Sequence, residues 1–388
     1  MRNLTVISKH NMEFLKGEEK TAAEMVEFLN QGAMYRSFEQ VLKKVYQEQD
    51  LKIRLESGMA DLTGDSRESI VRKVSNWIKG KNIPKNRETL FQICFVLGLD
   101  ESRANLILGT ASETGIHYRK PKEVVYAFGL RTGLSYQETV KLYRRVEENF
   151  FSETDKKEKQ TKDGGMVYTR MVKDAFSQIE EEEELMDFFE EHGADMGKMH
   201  ETAYKKFMEL LNALQRPGDE DGQEEKYSMK EVVEQYIRMN VPEKKKLSDY
   251  TLLQKLVKRY WPGETAIVNM QNRKEDISRK AMILLYLATE EFDQCEDEEL
   301  YYFEDAEEDA DTVLETRLEK MNLFLDSYGM NGLDPGNPFD FLVLYAMRTQ
   351  EGDFASDRMS EALAVLFSEG SGKKEDKTGK DGEDQGKT

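Results

Sequence analysis

Between Arg67 and Arg87 the chain sets seven basic residues against one acidic residue, Glu68. These are the residue types that read duplex DNA. Arg and Lys donate to guanine O6 and N7, Asn pairs with adenine N6 and N7, and cations of either kind neutralise phosphates. The spacing decides which of them can act together. Ile70, Val74, Trp77 and Ile78 fall at i, i+4, i+7 and i+8, which is one apolar stripe of a helix. Arg67, Ser69, Arg72, Lys73, Asn76 and Lys79 occupy its other face. Such a helix buries one side and presents cations and an amide on the other. The plainer reading of the same pattern is a set of solvated charges on an ordinary helical bundle.

The surroundings sharpen the contrast. The 388-residue chain carries a formal net charge of −20. Residues 31–150 hold 20 Lys and Arg against 15 Asp and Glu, a net of +5, so the remainder carries −25. A basic patch in an acidic chain suggests a polyanion site, with the acidic remainder limiting nonspecific adhesion.

Helix signals on either side position the basic stretch. Asp65-x-x-Glu68 has the form of a capping box, and Gly80 ends the helix, with Lys81 and Pro84 preventing its continuation. Asn86 caps a following helix, Arg87–Leu97, whose core face is Leu90, Ile93, Cys94 and Leu97. Gly98 stops that helix, and Asp100 caps another over Glu101–Leu108. Upstream, Phe38–Gln49 and Leu51–Leu62 supply two more, the first with Phe38, Leu42, Val45 and Tyr46 on one face.

Five short helices with a basic third one, followed by Trp77-x-x-Gly80-Lys81-x-x-Pro84 and then LFQICFVLGL, resemble the lambda-repressor-like (Xre family) helix-turn-helix domain. The resemblance covers roughly residues 36–109. It implies that the third helix lies in a major groove, with Arg72, Lys73 and Asn76 toward base edges. Lys79, Lys81, Lys85 and Arg87 would then lie near phosphates. The first two helices match the family less well, because no Gln opens the second and LTGDSRES makes a long turn.

The whole chain reads as all-α. Pro is scarce, at seven, and the Val/Ile/Thr alternation of strands is missing over most of the length. The expected layout begins with an N-terminal segment (1–30, one helix near Glu18–Leu29), a helix-turn-helix domain (31–118) and a helical extension (119–150). In the extension Gly133 separates two helices and Ser135-x-x-Glu138 is a capping box. A polar linker (151–165), an acidic helical pair (166–215) and a second linker (216–228) follow. A C-terminal helical domain (229–368) and a disordered tail (369–388) complete it. In the C-terminal domain Asn337, Pro338 and Asp340 open a helix that is apolar nearly all round, which places it in a core or an oligomer interface. Together with the helix-turn-helix segment, this block resembles helix-turn-helix proteins of Gram-positive gut bacteria, a resemblance that implies no activity.

Several chemistries are disfavoured. Two cysteines, Cys94 and Cys295, lie far apart without a CxxC or Cys/His cluster, so neither a disulfide framework nor a zinc site is expected. His10, His117, His192 and His200 show no HExxH spacing, and no GxxxxGK[ST], GxGxxG or GxSxG is present. Read as a calcium loop from Asp305, the acidic run Glu304–Glu315 places Ala310 where position six needs Gly and Thr316 where position twelve needs Glu. The expectation is therefore a non-enzymatic protein with neither metal nor cofactor. The N-terminus lacks an apolar leader and the longest apolar run, Ala281–Ala288, cannot span a bilayer, so a cytoplasmic location is expected.

The function expected is sequence-specific double-stranded DNA binding, as in a bacterial transcriptional regulator. Its C-terminal helical part would form a homodimer or bind a protein partner. The alternative is a non-catalytic helical adaptor, associated with a mobile element or a defence system, whose helix-turn-helix fold binds protein.

Overall fold

The structure, a computed structural model, describes residues 6–35, 37–84, 86–112, 114–151, 169–196, 201–216, 226–243, 249–290, 309–349 and 353–368. Within these residues the fold is all-α, with 19 helices and no strand. Residues 152–165 of the first expected linker and 217–225 of the second lie outside the described residues, as do the first part of the acidic run Glu304–Glu315, the tail from residue 369, and Lys85.

The chain opens with α1 (Val6–Leu15) and α2 (Ala22–Glu27). Thr21 and Glu24 cap α2 reciprocally. It runs on through a wider turn to Gly32, where the Ala33 amide donates to the Phe28 carbonyl at 2.7 Å. One helix was expected here. The second arises because the loop at Gly17, with φ +79, breaks the run and folds α1 back.

Next come α3 (Phe38–Val45), α4 (Leu51–Thr63), α5 (Arg67–Ile78), α6 (Arg87–Val96), α7 (Glu101–Ser112), α8 (Pro121–Thr132) and α9 (Tyr136–Phe150). Ser37 and Gln40 cap α3, which ends four residues earlier than expected because Tyr46 turns to an extended backbone. Gly58 lets α4 and α6 approach closely, since a Cβ there would meet Val96 Cγ1 at 2.6 Å. Two further helices, α10 (Thr169–Phe176) and α11 (Glu182–His192), add Phe176, Phe188 and Phe189 to the same core.

The remaining helices are α12 (Glu201–Gln215), α13 (Met229–Val232), α14 (Leu252–Lys258), α15 (Glu264–Gln271), α16 (Arg279–Ala288), α17 (Ala310–Ser327), α18 (Pro338–Ala346) and α19 (Ala355–Ser368). The acidic segment expected as one helical pair is thus three helices. Of these, α10 and α11 join the first core and α12 joins the second.

This second core is built from both ends of the chain. Met12, Leu15, Met25, Val26 and Leu29 pack with α12–α19, so the N-terminal segment belongs to the C-terminal body. Every residue of α18 is buried, as its all-round apolarity demands, and Asn337 caps it by accepting from the Phe339 and Asp340 amides. Polar contacts hold the N-terminal segment there. The buried Asn11 amide donates at 2.8 Å to the carbonyls of Met34 and Pro335 and accepts from the Met34 amide. Arg348 donates to the Gly17 and Glu18 carbonyls, and Arg358 donates to that of Lys20. The first core is therefore set into the chain between two parts of the second.

Candidate nucleic-acid interface

The α4–turn–α5 unit carries the candidate site. Gly64, with φ +66, ends α4 and reverses the chain within three residues. Ser66 rather than Asp65 caps α5, its hydroxyl accepting from the Ser69 amide at 3.4 Å. Asp65 instead lies beside Lys73, whose Nζ is 2.7 Å from Asp65 Oδ2. The capping-box reading missed this because Asp and Ser both cap well and stand side by side in the sequence.

Ile70, Val74 and Trp77 are buried, and α5 packs by this stripe against α3 and α4. Gly80 ends the helix with φ +66, which lets the amides of Lys81 and Asn82 donate back to the Asn76 carbonyl. A methyl group on Gly80 would stand 2.8 Å from Glu39 Oε2, the tip of a flexible side chain that could move aside, so it is the positive φ that calls for glycine here.

The stripe fixes what faces outward. Arg67, Arg72, Lys73, Lys79 and Lys81 are exposed, and Ser69 and Asn76 are half-buried. Among the described residues, the side chains of Arg67, Arg72, Asn76, Lys79 and Lys81 meet no hydrogen-bond or ion-pair partner. Lys73 has Asp65. The helix and its turn therefore present four cations and one amide whose donor capacity is turned to solvent.

Arg87 departs from the expectation of a phosphate contact. Its Nε and Nη2 donate to the two carboxylate oxygens of Glu123 at 2.9 and 2.6 Å. Its Nη1 and Nη2 also donate to the Thr114 and Gly115 carbonyls. Glu123 is only 7 % exposed, and a buried carboxylate needs such a two-pronged partner. Arg87 is thus a strut that ties the start of α6 to the start of α8. The pairing spans 36 residues and leaves no local mark in the sequence.

The carboxylates of this core are consumed in the same way. Glu101 accepts from Arg131 at 2.7 Å and from the Tyr118 hydroxyl at 2.6 Å. Glu88 accepts from Lys122, Tyr126 and Tyr136, each at 2.6 Å. Burial acts to raise the Glu88 carboxyl, but these three donors outweigh it and hold the group below its ordinary value. Burial also pushes His117 down to about 4, so this imidazole is neutral at pH 7 and adds no charge beside the Arg87–Glu123 pair. The net effect is a core whose interior charges cancel pairwise and whose unmatched cations include Arg67, Arg72, Lys79 and Lys81.

Among the described residues no group of three His, Cys, Asp or Glu side chains could hold a metal ion. Cys94 is buried, and its burial pushes the thiol well above its ordinary value. No described helix is long and apolar enough to cross a membrane. The chain matches no protein-family model, no curated protein and no solved structure.

Proposed function

We propose that the chain binds double-stranded DNA sequence-specifically through α5 and the turn after it, and that it serves as a transcriptional regulator. Its second core would then carry dimerisation or a protein partner. The observation that carries this reading is the unpartnered donor set of Arg67, Arg72, Asn76, Lys79 and Lys81 on one helix and its turn. Arg72 and Asn76 have the chemistry for base edges, and Lys79 and Lys81 for phosphates. Lys73 contributes once it leaves Asp65.

The two classes of contact fail differently. Arg72→Ala or Asn76→Ala should cost about 1–3 kcal/mol at one base pair and relax preference there. Lys81→Ala should weaken all sequences alike and flatten the dependence of log affinity on log salt by about 0.9. The measurement is binding of the full chain and the three variants to a selected site and to scrambled duplex at several salt concentrations. Equal small effects from all three, with wild type indifferent to sequence, would sink the reading.

A protein-binding adaptor is the second reading. It is favoured by apolar side chains left in solvent on the same unit: Ile53 of α4 is 70 % exposed, and Val71 of α5 is exposed as well. Sequence-indifferent or absent DNA binding in the same titration would favour it.

A further inference from the structure

We propose that the DNA-binding surface continues past the first core onto the end of α14, where Arg259, with Lys255, contacts phosphates flanking the site read by α5. The proposal rests on the duplex-binding reading above and adds to it a contribution from the second core.

The key contact joins the two cores. Arg259 Nη2 donates to the Pro84 carbonyl at 3.2 Å, across 175 residues of sequence. Pro84 stands three residues after Lys81, in the turn that would run along the phosphates. The second core therefore delivers a guanidinium to the segment where the first core needs cations.

The local chain explains why this guanidinium remains at the surface. Lys258 turns inward, donating to the Pro242 carbonyl and to the Tyr250 hydroxyl, and Trp261 Nε1 donates to the Ile237 carbonyl at 2.9 Å. Between these two anchors, Tyr260 takes a left-handed backbone, φ +56, that side chains rarely adopt, and is 46 % exposed. Its hydroxyl accepts from Arg259 Nη2 at 3.2 Å, and the guanidinium stands 5.0 Å from its ring centre. One nitrogen of Arg259 is thus held by two partners. Among the described residues its Nε and Nη1 have none. A planar fork fixed at one prong and open at the others loses little freedom on meeting a phosphate.

Charge supports the same placement. Residues 251–280 hold seven basic residues and three acidic ones, although everything outside 31–150 sums to −25. Several of the seven are used internally: Lys258 as above, Arg279 and Lys280 in the core, and Arg273 on Glu201. Lys255, Arg259 and Lys274 are left, and of these Lys255 and Arg259 stand one helical turn apart and so on one face. Lys255 has no side-chain partner among the described residues. A basic stretch of the acidic part thus meets the basic island at Pro84.

The test uses the full chain, a duplex of about 30 base pairs carrying a selected site, and a salt series. Arg259→Ala should weaken selected and scrambled duplexes alike, roughly threefold to tenfold at low salt, and flatten the log–log salt slope by about 0.9. Arg259→Gln keeps a donor for the Pro84 carbonyl but removes the charge, and should lose the same slope. If Gln restores both slope and affinity, Arg259 only braces the turn and the proposal is overturned. If neither variant changes binding while Arg72→Ala does, the second core stays off the DNA and the duplex-binding reading stands alone. If wild type binds no duplex, both readings fall together.

Discussion

Cations meet opposite fates at the start of α16 and along the outer face of α5. In the second core Arg279 is 5 % exposed in its side chain and pairs bidentately with Asp340, at 2.8 and 2.9 Å, while also donating to the Asn331 and Gly332 carbonyls. Lys280, its neighbour, is 1 % exposed and donates to the Val257 and Arg259 carbonyls, with its Nζ 4.3 Å from the centre of the Phe339 ring. In the first core the cations of α5 stand in solvent, and all but Lys73 lack a partner among the described residues. A charge withdrawn from water must find a carboxylate or carbonyls, because its desolvation costs several kcal/mol otherwise. A surface charge is under no such demand. A cluster of unpartnered cations therefore adds little to folding, and the proposed duplex binding would give it a use.

The largest effect should come from breaking the buried pair. Asp340→Ala leaves the Arg279 guanidinium buried with two carbonyls and no counter-charge, and should cost about 3–5 kcal/mol in urea denaturation. The double change Arg279→Met with Asp340→Leu should recover much of that loss, since a well-packed apolar pair of similar volume removes the buried charge altogether. A cost below about 1 kcal/mol for the single change would mean that the carbonyls alone satisfy Arg279, and the contrast between the cores would soften.

Trp77 tests the same contrast within α5. It is 5 % exposed and shares its stripe with Ile70 and Val74, so it is a packing residue one step from the exposed cationic face. Trp77→Ala should cost about 3–5 kcal/mol of stability. A variant with wild-type melting temperature that no longer binds DNA would place the indole on the ligand side and shift the assignment of every donor on the helix.

What the sequence made legible follows from how far each interaction reaches. The Gly80 stop of α5, the Asn86 cap on α6 and the Ser135 capping box on α9 all depend on neighbours within a few residues, and all are present. The apolar stripe of α5 was readable for the same reason. Long-range pairing was not. Arg87 has the look of a surface cation until Glu123 is seen opposite it. The second core's claim on α1 and α2 rests on apolar residues such as Met25 and Val26, whose periodicity does not say which core they join, and on Asn11, Arg348 and Arg358, polar residues without periodicity. A fragment ending at residue 150, natural from the linker composition, would strip Phe176, Phe188 and Phe189 from the first core, and residue 196 is the better end.

The smallest expected effect concerns the one cation of the α5 face that does have a partner. The Lys73–Asp65 pair is 2.7 Å long, with the two side chains 46 % and 43 % exposed. At that exposure water screens the attraction, and such pairs contribute about 0–1 kcal/mol to folding. Asp65 is not the cap of α5, because Ser66 fills that place, so Asp65→Ala should leave the melting temperature nearly unchanged. It should still matter for binding. The change removes a negative charge from the basic face and frees an ammonium that can neutralise a phosphate. Duplex affinity at low salt should therefore rise a few-fold, with the log–log salt slope steepening by up to about 0.9. Lys73→Ala is the mirror experiment. It should lose little stability, and in the Asp65→Ala background it should abolish the gain. A gain that survives the loss of Lys73 would come from removing the Asp65 charge alone. No gain at all would mean that α5 meets its ligand on a side away from Lys73, and would confine the donor face to Arg72, Asn76 and Lys79.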